Sequence, residues 1–258
     1  MSHEELSPAV SIDRKDAIAE VRIDAPPVNA LATQDWEAIA TAFTSISSDN
    51  AVRAAILHGE RGRFCAGADI NGLAHPPVGQ DPATPFTVVA DAAAAIRTCR
   101  VPVIAAIQGP AHGGGLELAL ACDIRIAGEK ATFAAAGINM GLIASVRSLS
   151  QTFGDSVARR MLLTGERFDV HDARRLGLLI EGGSNPRKTA RKMALQIAAK
   201  PPLAVEATKA ALNELDRLDP TEHDAYVVET FRRLATSADH HEAIASFQEK
   251  RNGEFGRA

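Results

Sequence analysis

Three observations predict an α/β fold for this chain. Short apolar runs, Val52–Leu57, Val103–Ile107 and Ile124–Ala127, have the length and composition of buried strands. Stretches with helical periodicity lie between and after them. Three successive glycines join one such strand to the helix that follows, a place where backbone can approach a ligand closely.

Taken in order, Val10–Asp13 and Ala17–Ile23 read as paired strands, split by the charged turn Arg14-Lys15-Asp16. A helix follows the Asn-Ala-Leu segment, with Thr33 as N-cap and Trp36, Ile39, Ala40 and Phe43 on one face. Phe64–Ile70 (FCAGADI) is a tight small-residue turn, and the proline-rich stretch Asn71–Pro85 is a loop. Phe86–Thr98 reads as a helix with a small-residue face. Gly109–Cys122 is a glycine-rich turn running into a helix. These are repeated strand-strand-helix units. Beyond about residue 150 the chain turns helical, through SVARRMLLTG, DVHDARRLGL, PRKTARKMALQIAAK and PLAVEATKAALNEL. Two amphipathic helices fill Thr221–Arg251 and break near Ser237–Asp239. No linker cuts the chain. The expected organisation is an α/β core over 1–197 and a helical C-terminal region over 198–258, packed on that core or on a neighbouring subunit.

Composition narrows the function. The chain has 258 residues, 28 basic and 32 acidic, for a net charge of −4, which lacks the basic excess of a nucleic-acid binder. Aromatic residues make up only 4%, too few for a base-stacking surface. No uncharged apolar run reaches the roughly 18 residues of a membrane helix, and residues 1–16 carry no readable secretory or transit signal. Cys65, Cys99 and Cys122 fit no metal pattern and read as buried reduced thiols. A cytoplasmic location is expected.

The segment GPAHGGGLELALACD, Gly109–Asp123, is the most informative. Glycines opening a helix leave amide N–H groups free at its positive end, which suits an anion or a polarised carbonyl oxygen. The pattern is neither the phosphate loop nor the dinucleotide fingerprint. Glu117 sits two residues past the glycines among Leu116, Leu118 and Leu120, so burial is expected. It reads either as a helix-end carboxylate satisfying free amides or as a working acid/base. Ala66-Gly67-Ala68 offers a second exposed amide, and two converging amides make an oxyanion hole.

Five segments in order resemble the crotonase superfamily of enoyl-CoA hydratases, isomerases and relatives: PPVNAL at 26–31, FCAGADI, VIAAIQGPAHGGGLELALACDIRIA, MLLTGERFDVHDARRLGLL and ASFQEKRNGEF. The resemblance implies a spiral of ββα units with a C-terminal helical trimerisation region, forming a homotrimer or a hexamer of stacked trimers. It implies an acyl-CoA or enoyl-CoA thioester as substrate and no metal or redox cofactor, coenzyme A being part of the substrate. By position, the amides of Ala68 and Gly114 hold the thioester oxygen and Glu117 is the first catalytic glutamate. Ala66, Ala68, Asp69 and Ile70 belong to the coenzyme A site, with Asp69 also placed to cap its turn, and Phe247 and Lys250 match tail residues that reach the nucleotide.

The family's second glutamate belongs to an F-x-x-P-E-x-x-x-G pattern, seen here as FAAAGINMG, Phe133–Gly141. Its position holds Gly137, and no acidic residue lies between Ala131 and Gln151. Two alternatives stand beside a one-glutamate hydratase or isomerase. One is a protein that binds acyl-CoA without transforming it. The other is thioester hydrolysis or C–C cleavage, with His112 and Arg147 as the residues to test. His112 reads as pocket-lining or structural, Arg147 as pocket-facing or surface-paired. Asp123 reads as structural, His240-His241 as a solvated pair, and Ser148 and Ser150 lack a nucleophile context.

Overall fold

The computed structural model describes residues 2–179 and 181–258. Strands β1 (Ser2–Ser7), β2 (Val10–Lys15) and β3 (Ile18–Ile23) form an antiparallel ribbon. The β2–β3 turn is Asp16-Ala17, not Arg14–Asp16, because a two-residue hairpin of this twist needs positive φ at both centres, and these residues have φ of 56° and 63°. Strand β1 is absent from the sequence reading. It carries charges on an edge, tied down by His3 to Asp13 (2.9 Å) and Arg14 to Glu4 (2.8 Å), so it has no apolar alternation to detect.

After β4 (Ala30–Leu31) comes α1 (Thr33–Ser48). Thr33 is its first helical residue rather than its cap. Ala32 holds the cap position, and Asp35 accepts the Ala32 N–H at 3.0 Å. Trp36, Ile39 and Phe43 are buried as expected. Next are β5 (Ala54–Gly59), β6 (Gly67–Ala68), α2 (Ile70–Ala74) and α3 (Thr84–Thr98). The expected loop is therefore shorter. Asp69 caps α2 by accepting the Asn71 N–H, and Pro85 sits in the first turn of α3, where a missing N–H costs nothing.

Strands β7 (Val103–Ile107) and β8 (Pro110–His112) lead to α4 (Gly114–Ala121), then β9 (Ile124–Ala127) and β10 (Thr132–Ala134). A 3-10 turn (Ala136–Met140), α5 (Val146–Phe153), α6 (Asp155–Thr164), β11 (Arg167–Asp169), α7 (Val170–Arg175) and β12 (Glu181–Gly182) follow. The chain ends in α8 (Pro186–Ala198), α9 (Pro202–Glu214), α10 (Pro220–Ala235) and α11 (Ala238–Glu249).

The main sheet runs β1-β2-β3-β5-β7-β9-β12, parallel from β3 onward. Both faces of its centre are covered, so every residue of β7 is buried. On the front, Val21, Leu57 and Ala105 join Trp36, Phe43 and Leu116 in the larger core. On the back, Ile56, Ile104 and Ile126 pack against Ala190 and Ala194 of α8. A smaller sheet, β11-β10-β8, and the parallel pair β4-β6 stand on the front side of the chain path and carry the site.

Helix α9 is pinned to the core by Lys209. Its buried Nζ donates to Asp123 (2.7 Å) and to the carbonyl oxygens of Val101 (3.0 Å) and Ile96 (3.3 Å). Asp123 also accepts the Val103 N–H at 2.7 Å, so its role is structural, as expected. Helix α10 buries none of its residues and exposes Val227, Val228 and Phe231. No helix among the described residues is long and apolar enough to cross a membrane. The three cysteines are free and buried, and burial pushes the thiols of Cys65 and Cys122 up to about 12.

Candidate active site

Two turns meet at the N-terminus of α4. The first is the segment Phe64–Ala68. It is held from behind by Asn29, a buried residue with φ of 57°, whose side chain accepts the Ala25 N–H and donates to the carbonyls of Arg63 and Phe64. The Ala66 N–H adds a bond to Asn29 O at 3.1 Å. The second turn follows β8, where the Cys65 N–H donates to Pro110 O and the His112 N–H to Cys65 O, both at 3.0 Å. The two backbones are thus laced side by side.

Glycine makes this approach possible. Gly67 has φ of +102°, and a Cβ there would stand 3.0 Å from His112 O and 3.2 Å from the Gly114 nitrogen. A Cβ on Gly115 would overlap Cys65 O at 2.1 Å. Gly114 is the first residue of α4, so its amide has no acceptor within the helix. Neither the Ala68 nor the Gly114 N–H donates to a loop, turn or side-chain acceptor among the described residues. The turn that carries Ala68 is thus packed against the one that carries Gly114.

Glu117 lies one turn into α4, its side chain 14% exposed. It is half-buried rather than fully buried. Ser148, on the first turn of α5, donates to both of its oxygens, at 2.6 Å and 2.7 Å. Arg97, at the end of α3, places Nη1 3.7 Å from Oε1. The sequence reading missed both partners. Ser148 has no motif to mark it, and Arg97 stands on a helix with no spacing relation to Glu117.

The other predicted residues separate. Gly137 lies in the 3-10 turn, and a Cβ there would face Leu142 O at 3.2 Å and the Ala144 Cβ at 3.5 Å. Its backbone does not require glycine, so what the position lacks is a side chain. His112 is half-buried, with Nε2 3.0 Å from Thr132 Oγ1. Burial lowers its pKa, and the Arg167 cation, in register across β10, lowers it further. Arg147 is exposed on α5 beside Ser148. Ala66 and Asp69 are half-buried and Ile70 is exposed, in one continuous stretch next to Ala68. Phe247 and Lys250 are exposed at the C-terminal end of α11, and no hydrogen bond among the described residues joins them to that stretch. His240 and His241 pack edge to face, 5.8 Å between ring centres, and His240 is half-buried. No group of three His, Cys, Asp or Glu among the described residues is placed to hold a metal.

Chemically, an amide at a helix N-terminus with no acceptor in its own helix suits negative charge on an oxygen, and Glu117 is the acid on that same helix.

The sequence pattern of the enoyl-CoA hydratase/isomerase family matches residues 13–258. The chain is 34% identical over 247 residues to a probable mitochondrial enoyl-CoA hydratase 2 of Arabidopsis thaliana, covering 91% of this chain and 80% of that one. It is 32% identical over 257 residues to a probable enoyl-CoA hydratase of Bacillus subtilis, covering 96% and 98%. Its fold superposes on the crystal structure of an enoyl-CoA hydratase of Mycobacterium smegmatis with a TM-score of 0.89 at 30% identity, over 96% of this chain and 99% of that one.

Proposed function

This chain belongs to the enoyl-CoA hydratase/isomerase family, and from that premise we propose that it hydrates or isomerises an enoyl-CoA with Glu117 as its one acid/base. The observation that carries the reading is the meeting of Gly67 with the Gly114 nitrogen beside Glu117. In this reading the Ala68 and Gly114 amides bind the thioester oxygen and take up enolate charge. For hydration, Glu117 takes one proton from water as its oxygen bonds to C3 and the π electrons move to the thioester oxygen. Collapse of the enolate then draws the proton from Glu117 to C2. For isomerisation, Glu117 removes a proton from C2 and returns it at C4. Both sequences close without net electron transfer, so the reading calls for no redox or metal cofactor, and coenzyme A enters only as part of the substrate.

Ala66, Asp69 and Ile70, with Phe247 and Lys250 of a neighbouring copy, are assigned to the coenzyme A portion. The exposed Val227, Val228 and Phe231 on α10 support a subunit interface, and the homotrimer or hexamer is what the family resemblance implies. Residues 1–197 would then be the catalytic core and 198–258 the oligomerisation region. The buried thiols are in keeping with a cytoplasmic location.

Gly137 favours one second reading, an acyl-CoA binder without turnover, because the position of the family's second glutamate carries no side chain. The test is a panel of enoyl-CoA thioesters of several chain lengths, with turnover and binding measured on the same protein. The expected result is turnover that falls about 10²–10⁴-fold in Glu117→Gln while binding persists. Unchanged turnover in Glu117→Gln refutes the assignment. Binding with no turnover of any panel member overturns the hydratase and isomerase reading and leaves two, an acyl-CoA binder or an enzyme for another acyl-CoA reaction, which a product screen by mass spectrometry separates.

A further inference from the structure

Six hydroxyl side chains on helices of this chain bond back to the carbonyl four residues earlier, with no partner on another element among the described residues. Thr41, Thr44, Ser48, Thr98, Thr152 and Thr208 all do so. Ser148 does not. It reaches from α5 to α4 and shares its one proton between the two oxygens of Glu117. A donor almost equidistant from both oxygens lies close to the axis of the glutamate's last bond, so it fixes where the carboxylate sits while leaving its turn about that bond free. Arg97, at 3.7 Å and half-exposed, lies beyond hydrogen-bonding distance and does not fix that position. Ser148 does.

The need for such a brace follows from Gly137. With no acidic residue from Ala131 to Gln151, one carboxylate must both accept a proton and return it, each time along the correct line. We infer that Ser148 is a positioning residue that acts through Glu117, holding the carboxylate at the place from which a single acid/base serves both steps. The inference rests on the functional reading above. Ser148 keeps its own proton throughout, and no bond to it forms or breaks.

The experiment compares kcat, KM, acyl-CoA affinity and the pH–rate profile of the wild-type protein with those of Ser148→Ala, Ser148→Thr and Glu117→Gln, on the best enoyl-CoA of the panel. Ser148→Ala is expected to lower kcat by about 10²-fold, the cost of a misplaced reacting group, with KM and affinity unchanged. Its pH–rate profile is expected to move, and Ser148→Thr, which keeps the hydroxyl, is expected to recover most of kcat. Wild-type kcat in Ser148→Ala, alongside a loss in Glu117→Gln, overturns this inference and leaves the functional reading standing. A loss in Ser148→Ala that threonine does not recover, with an unmoved pH profile, makes Ser148 a packing residue and also overturns it. A wild-type protein silent on every substrate overturns both.

Discussion

Two glutamates on opposite faces of the main sheet are buried to nearly the same degree and do different things. Glu20, on the back, has a side chain 9% exposed; Glu117, on the front, 14%. Glu20 is clamped by two guanidinium groups, Arg187 Nε at 3.0 Å and Arg191 Nη1 at 2.6 Å, so each of its oxygens is matched by a fixed charge. Glu117 has one neutral hydroxyl and an arginine too far away to bond. Burial alone therefore does not mark a working carboxylate. A carboxylate fully matched by guanidinium groups is an ion pair that holds α8 to the sheet, whereas Glu117 meets one neutral hydroxyl and, among the described residues, has no guanidinium within hydrogen-bonding distance.

Exchanging each acid for its amide breaks or upholds this contrast most directly. Glu117→Gln should cost about 10²–10⁴-fold in turnover and leave the urea unfolding midpoint in place. Gly67→Ala comes next. A methyl group at φ of +102° and 3.2 Å from the Gly114 nitrogen should cost about 10²-fold in kcat by disturbing one oxyanion donor, with acyl-CoA binding weakened less. Glu20→Gln should show the reverse pattern. Turnover per folded molecule is retained, and stability falls by about 2 kcal/mol in urea titration, less than for a fully buried pair because both arginines reach solvent.

The last expected effect is a pH dependence, again on the back face. His58 lies beneath Glu20, with Nε2 3.8 Å from its Oε2 and no hydrogen-bond partner among the described residues. Burial, then the Arg187 charge, lowers the imidazole pKa from 6.5 to about 4, against an opposing pull from Glu20. Between those values the unfolded chain binds a proton that the folded chain does not. The His58 contribution to stability should therefore decline as pH falls from 6.5 toward 4, and the decline should be complete below that. His58→Gln should flatten this slope in urea midpoints taken across that window. A wild-type curve that already matches the variant would show that the back-face cluster accommodates the charge.

The strands Val103–Ile107 and Ile124–Ala127 are legible to the residue because strands packed on both sides are built largely from apolar residues. Strand β1 is illegible for the opposite reason: it is an edge held by charged pairs, and polar residues there look like a tail. In the site, Glu117 is legible as a lone acid in an apolar helix and the glycines as a close-approach turn. Ser148 is not, because its bond spans 31 residues and exists only once α5 packs on α4. Glu20 shows the same limit. Its arginines lie 167 and 171 residues away, and nothing in its strand distinguishes it from a solvated charge.

The sequence by itself determined the α/β class, the glycines that allow two backbones to touch, the candidate carboxylate Glu117 and the empty place at Gly137. These follow from local rules: side-chain period, backbone freedom and residue chemistry at a position. The tertiary structure alone decided which glutamate is clamped by two arginines and which is not, and that a serine on a later helix braces the latter. A side chain's partners depend on how distant elements are packed against one another, and no local spacing along the chain encodes that.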